Sequence, residues 1–162
     1  MALGASTGRR GGSMKAEKIL ENKGKEVFAI HVDAIVSDAL QEMSARNVGA
    51  LIVLDGQQNV RGIVSERDVM RSCYRSQANV KGLAIQDVMT PREKLIVARA
   101  EDDVNDLMAA MTQNHIRHIP VVDEKDKVVG MISIGDIIKA LLKDKDYQIR
   151  HLKDYIESKY PL

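Results

Sequence analysis

Apolar positions in this chain fall into short runs and helical stripes that follow one another in a fixed order. Val27–Ile30 reads as a short strand, Ala50–Leu54 as a buried strand and Val60–Val64 as a third that carries Gly62. Between the first two, Ile35, Ala39, Leu40 and Met43 recur at helical spacing, which predicts an amphipathic helix with an acidic start at Asp33. The succession then repeats. Leu95–Ala98 predicts a strand, Val104, Leu107, Met108 and Met111 a helix begun at Glu101–Asp103, and Ile119–Val122 and Val128–Ile132 two further strands. Turns at Asp55–Asn59 and Asp123–Lys127 join the paired strands, and a second helix starts at Ser65 in one half and Ser133 in the other. Asn47 and Asn114 sit near the ends of the first helices, where left-handed caps are common.

A shift of 68 residues lays Val27–Cys73 on Leu95–Leu141 without a gap. Identities fall at Asp38/Asp106, Met43/Met111, Val53/Val121, Asp55/Asp123, Gly62/Gly130, Ser65/Ser133 and Asp68/Asp136. Shared punctuation of this kind marks an internal duplication. Each unit is β-α-β-β-α and about 47 residues long, too small to bury a sufficient core alone. The predicted fold is therefore α+β, with two repeats packed sheet against sheet about a pseudo-two-fold axis. Residues 1–13 read as a leader or disordered tail, 14–86 as the first repeat with an N-terminal helix, 87–94 as a linker and 95–142 as the second repeat. The linker around Met89-Thr90-Pro91 is the expected movable element. Residues 143–162 read as a charged helix in which Ile149, Leu152, Tyr155 and Ile156 make one apolar stripe. Docking on its own domain and a dimer contact are both open for that stripe.

Composition narrows the class. The net charge of +1, from 24 basic against 23 acidic residues, gives no electrostatic footprint for nucleic acid. No apolar run approaches the roughly 20 residues that span a bilayer. With no Trp, one Phe and four Tyr, the core must be aliphatic, and the eight Met help to fill it. The single Cys73 excludes an intramolecular disulfide and a Cys-based zinc site, and a reducing, cytoplasmic setting is expected. His31, His115 and His151 lack the paired spacing of metal ligands. Neither a phosphate-loop, a dinucleotide-fold nor a hydrolase-elbow signature occurs, so catalysis is not expected.

The duplicated unit, the Val88-Met89-Thr90-Pro91 linker and the G-[IM]-[VI]-S-x-x-D ending of each copy resemble a tandem pair of CBS (cystathionine-β-synthase) domains. Asn114-His115-Ile116-Arg117-His118-Ile119-Pro120-Val121-Val122 is especially similar to stand-alone CBS-pair proteins. The resemblance implies a non-enzymatic regulatory module, a Bateman module, whose clefts take AMP, ADP, ATP or NAD, with S-adenosylmethionine as an alternative. It also implies a flat homodimer and a regulated protein whose identity is open. An interaction scaffold with vestigial clefts is the rival reading.

Ser65-Glu66-Arg67-Asp68 and Ser133-Ile134-Gly135-Asp136 admit two roles. Ser at a helix start with a carboxylate three residues on is a capping box. The same geometry offers free N–H groups and a hydroxyl to phosphate, and a carboxylate to the two hydroxyls of a ribose, as the resemblance implies. Arg117 suits a bidentate grip on phosphate and His118 could donate to it, while Gly49 and Ala50 in the first copy supply neither charge nor donor. Strand alternation predicts that only one of Arg117 and His118 reaches the cleft, unless the chain is irregular there. Arg67, matched by Gly135, could face the same phosphate as Arg117 across the axis or pair with a surface carboxylate. Asp136 is expected to contribute more than Asp68, because its copy carries Arg117 and His118. The resemblance suggests Val97, Ala98, Ile119 and Pro120 as an apolar slot for adenine, with a plain core role as the alternative.

Overall fold

The computed structural model describes residues 13–24, 26–76 and 82–159. The first copy runs β1 (Ala29–His31), α2 (Val36–Arg46), β2 (Ala50–Leu54), β3 (Val60–Ser65) and α3 (Glu66–Ser76), preceded by α1 (Ala16–Lys23). Next come α4 (Ile85–Val88), β4 (Thr90–Pro91) and a 3-10 turn at Arg92–Lys94. The second copy holds α5 (Val104–Gln113), β5 (His118–Val122), β6 (Val128–Ser133) and α6 (Ile134–Lys159).

The 68-residue shift is reproduced residue by residue in strand register. Leu51 pairs with Val64 and Val53 with Gly62 in β2–β3, just as Ile119 pairs with Ile132 and Val121 with Gly130 in β5–β6. Even the register slips coincide, at Val53/Leu54 and Val121/Val122. The left-handed residue after the first helix is Asn47 (φ 53°) in one copy and His115 (φ 54°) in the other, so the second copy places this cap one residue beyond Asn114. One element is not matched. Ile52 N donates to Phe28 O at 3.0 Å where β1 joins the sheet, but the equivalent residue is Pro120, which has no N–H. The strand expected over Leu95–Ala98 therefore shrinks to a parallel bridge between Ala98 and Val121.

Alternation sorts the strand residues into layers. Leu51, Val53 and Val64 pack under α2, while Ala50, Ile52 and Ile63 meet Leu95, Val97, Val122 and Met131 of the second copy. This middle layer is the predicted sheet-on-sheet contact. Each fully buried Ile, Leu or Met contributes roughly 1.5–3 kcal/mol of transfer free energy, and the whole core is aliphatic. The face that α2 buries is Val36, Ala39 and Met43; Ile35 is the cap residue and, like Leu40, is partly open. Of the predicted stripe, Ala39 and Met43 are thus buried as expected, and Val36 takes the inward place given to Ile35. Asp33 starts no helix and instead lies against His31, whereas Asp103 does cap α5 by accepting from Asn105 N at 2.9 Å.

The lead segments cross. α1 buries Ala16, Ile19 and Leu20 in the core of the second copy, and α4 buries Ile85 and Val88 in the core of the first. Backbone bonds match across the axis: Val36 N donates to Leu83 O at 2.9 Å and Val104 N to Met14 O at 3.0 Å. Gly62 and Gly130 permit the approach. A Cβ on Gly62 would strike Thr90 O, and one on Gly130 would lie 2.6 Å from Leu20 Cδ2. Thr90 and Pro91 pair with Ile63 and Gly62, so the segment expected to move is a fourth strand of the first sheet. The charged tail is not a separate helix, because α6 continues unbroken from Ile134 to Lys159. Ile149 is exposed, and the side chains of Leu152, Tyr155 and Ile156, like residues 1–12 of the expected leader, lie outside the described residues.

Candidate functional site

Both helix starts close as capping boxes. Asp68 Oδ2 accepts from Ser65 N at 2.9 Å and Ser65 Oγ at 2.6 Å; Asp136 Oδ2 accepts from Ser133 N at 2.8 Å and Ser133 Oγ at 2.7 Å. In return Asp136 N donates to Ser133 Oγ at 3.2 Å. The bonds to each carboxylate among the described residues are made through Oδ2. The first N–H of each helix reaches across to the loop before the neighbouring strand: Glu66 N to Gly49 O at 3.1 Å and Ile134 N to Arg117 O at 2.9 Å.

A cavity of about 260 Å3 lies where the helix start of the first copy meets β5 of the second. Ser65, Arg67, Asp68 and Arg71 line it from one side and Ile96, Arg117, His118 and Pro120 from the other, and Lys94 and His115 line it too. The axis therefore brings Arg67 and Arg117 to one cavity. Arg67 Nη1 donates to His115 O, and Arg117 Nη2 stands 3.9 Å from Glu66 Oε2 with its side chain half exposed. Four full cations and one carboxylate, Asp68, line the walls, a balance suited to a polyanion. Arg117 and His118 both line it, because the strand begins only at His118 and alternation does not govern the residue before it. His118 is held below the usual imidazole range, first by burial and then by the charges of Arg117 and Lys23. It is accordingly a neutral donor or acceptor near pH 7.

Other sequence-predicted residues go elsewhere. Ser133 and Asp136 lie at the counterpart cleft, where Asp136 also accepts from Lys23 Nζ at 2.7 Å. Burial alone would raise the Asp136 carboxyl, but hydrogen bonds from Lys23 and Ser133 outweigh it and hold it below its ordinary value. Ala98 and Ile119 are fully buried in the second core and Val97 in the middle layer, so of the expected adenine slot only Pro120 lines the cavity. Arg117 thus shares its cavity with Asp68 of the opposite copy, not with Asp136. Sequence reasoning missed Arg71, Lys94 and Ile96. Arg71 follows Arg67 by one helical turn and matches a basic residue, Lys139, which was a legible signal. Ile96 carried none. Its carbonyl loses a strand partner only because Pro120 lacks an N–H.

A larger cavity, about 490 Å3, separates α1 from α6 and is lined largely by Lys18, Lys23, Lys139 and Lys143 over Met14 and Ile19. Asp136 is the one predicted residue there. No His, Cys, Asp and Glu grouping that could hold a metal occurs among the described residues. No helix among them is long and apolar enough to cross a membrane.

Two repeats in matched register, each closed by a Gly-x-x-Ser-x-x-Asp helix start, define a duplicated cleft module. The CBS domain profile matches residues 23–75 and 85–143, and the chain belongs to the CBS domain family. It is 36% identical over 148 residues to the mitochondrial CBS domain-containing protein CBSX3 of Arabidopsis thaliana, covering 88% of this chain and 71% of that protein. A protein with CBS domains from Burkholderia ambifaria superposes with a TM-score of 0.75 at 31% identity, over 81% of this chain and 96% of that one. The crystal structure of CBSX2 in complex with AMP superposes with a TM-score of 0.61 at 26% identity, over 74% and 90%.

Proposed function

We propose that the chain is a non-catalytic regulatory module that binds an adenine mononucleotide, AMP foremost, in the cavity between Asp68 and Arg117. One observation carries this reading: a ribose-type carboxylate on a helix start shares one small cavity with Arg67 and Arg71 of its own helix and with Arg117 of the opposite copy. Asp68 accepts from the ribose hydroxyls, Arg117, Arg67 and Arg71 take the phosphate, and the base lies against Pro120, with the Ile96 carbonyl available to an amino group. The AMP complex of CBSX2 supports that choice of ligand. The volume, below the roughly 300–1,000 Å3 of typical ligand pockets, suits a mononucleotide better than NAD. ADP and ATP extend toward Lys94. S-adenosylmethionine, cationic at sulfur, is opposed by the same arginines.

The module acts as a homodimer. Met70 and Tyr74 on α3 are exposed apolar residues, and their counterparts Ile138 and Leu142 on α6 are exposed too, so the axis duplicates one apolar stripe on two helices. The ligand shifts partner affinity only through unequal binding to two states of that assembly. The regulated partner is a separate protein. A reducing compartment, cytoplasm or organelle interior, suits the exposed free Cys73.

Titration calorimetry with AMP, adenosine and S-adenosylmethionine tests the reading. AMP should bind much more tightly than adenosine, added salt should weaken AMP, and Arg117→Ala should narrow the gap between the two. Absence of binding by all three would return the module to an interaction scaffold.

A further inference from the structure

The Asp68 helix start has its counterpart 68 positions away at Asp136, where the carboxylate is bonded by a cation of the chain itself. Asp136 Oδ2 holds three donors: Ser133 N, Ser133 Oγ and the Lys23 ammonium at 2.7 Å. The same ammonium donates to Met131 O at 3.0 Å. The lead segments match at an offset of 69 residues, as Met14 and Leu83 show, so the counterpart of Lys23 is Arg92, whose Nη2 turns to Asp126 Oδ1 at 3.8 Å rather than to Asp68. Lys23 ends α1, and the buried Ala16, Ile19 and Leu20 fix that helix to the second core, so its position is set by packing. The far wall differs as well. Gly49 stands in place of Arg117, and a Cβ built there would lie 3.1 Å from Glu66 Oε2 and 3.4 Å from His118 Cε1. Gly135 stands in place of Arg67. The second cleft thus presents a carboxylate where the first presents arginine, and its ribose acceptor is already bonded to a cation.

We infer that Lys23 is a built-in occupant of the Asp136 cleft, which restricts the chain to one adenine nucleotide, held at Asp68. The inference rests on the proposed nucleotide reading for the Asp68 cleft. A ribose hydroxyl entering at Asp136 meets the Lys23 ammonium already seated on the carboxylate and must compete with a charge-assisted bond. Gly49 and Gly135 remove two of the arginines that grip phosphate in the first cleft, while Lys18, Lys139 and Lys143 remain beside Asp136, so an unphosphorylated nucleoside is the probe that reads the ribose contact alone.

Titration calorimetry on the full-length chain gives the test, with AMP and adenosine as probes. The unaltered protein should take one AMP per chain, and Asp68→Ala should weaken it roughly 5- to 150-fold while Asp136→Asn preserves it. With the first cleft weakened, Asp68→Ala/Lys23→Met should bind adenosine at least about tenfold more tightly than Asp68→Ala alone. Adding Asp136→Asn should remove the gain, and Lys23→Arg in place of Met should show none. Thermal melting confirms that each variant is folded, and Asp68→Asn replaces Asp68→Ala if the latter is not. Two AMP per chain, or no gain of adenosine binding in the Lys23→Met background, overturns the inference while leaving the Asp68 cleft intact. No AMP binding by the unaltered protein, with adenosine still gained on removing Lys23, overturns the function proposed for the Asp68 cleft and the one-nucleotide limit while retaining the Lys23 block of the second.

Discussion

The two copies share a backbone and differ in chemistry. β2–β3 and β5–β6 agree in register down to the slip before Leu54 and Val122, and both helix starts close the same Ser–Asp box. Around those boxes the charges part ways: Arg67, Arg71 and Arg117 gather about Asp68 without bonding it, while Lys23 bonds Asp136 directly. A pseudo-symmetric frame therefore fixes where a cleft can be, and a few side chains decide whether it is open.

Substitutions at equivalent positions sharpen that contrast. The largest effect is expected at the glycines. Gly62→Ala sets a methyl against the Thr90 backbone, which cannot swing aside, and should lower stability by about 2–3 kcal/mol in chemical denaturation. Gly130→Ala meets only the end of Leu20 and should cost about half as much; equal losses would mean that the two lead segments are held alike. Next in size, Asp68→Ala should weaken AMP roughly 5- to 150-fold, the value of one lost hydrogen bond to a buried hydroxyl, whereas Asp136→Ala should leave it nearly unchanged. The reverse order, read by calorimetry, would transfer the ligand to the second cleft. Smaller still, Ser65→Ala and Ser133→Ala should each cost about 1 kcal/mol of stability as lost helix caps, and should do so equally in the absence of ligand.

The smallest effect is a pH dependence without counterpart in the first copy, where Ala50 replaces His118. The folded state holds the imidazole below its unfolded value of about 6.5, so the unfolded chain binds more protons in that interval. Stability should be full above that pH and decline as pH falls below it toward the folded value. His118→Asn should flatten this part of the profile, and an unchanged slope in thermal melts between about pH 5 and 7 would remove His118 as its source.

The duplication, the strand pairs and the helix starts were legible because they are written in local punctuation: Gly62/Gly130, Ser65/Ser133 and the aspartate turns at Asp55 and Asp123. Phase was harder. Ile35 and Val36 are both apolar, and only packing shows that Val36 faces inward. Which halves make one cleft was not written locally at all. Sequence adjacency joined Arg117 to Asp136, whereas the two-fold arrangement joins Arg117 to Asp68, and Lys23 sits more than a hundred residues from the carboxylate it meets. Pro120 was recognised as a slot residue, yet its effect on the strand beside it follows from a missing donor whose partner only the sheet reveals.

The crossed lead segments also set the order in which the chain can mature. The first copy lacks Ile85 and Val88 until residues beyond its own α3 have been made, and the second completes its core only with Ala16, Ile19 and Leu20 from the opposite end of the polypeptide. Neither half is a finished folding unit, and closure joins residues such as Ala16 and Asp102 over a long loop. Acquisition of the native state should therefore be slow for a chain of this size and nearly all-or-none. A ribosome must release residues through Val88 before the first half can complete its core, and almost the whole second repeat before the second can.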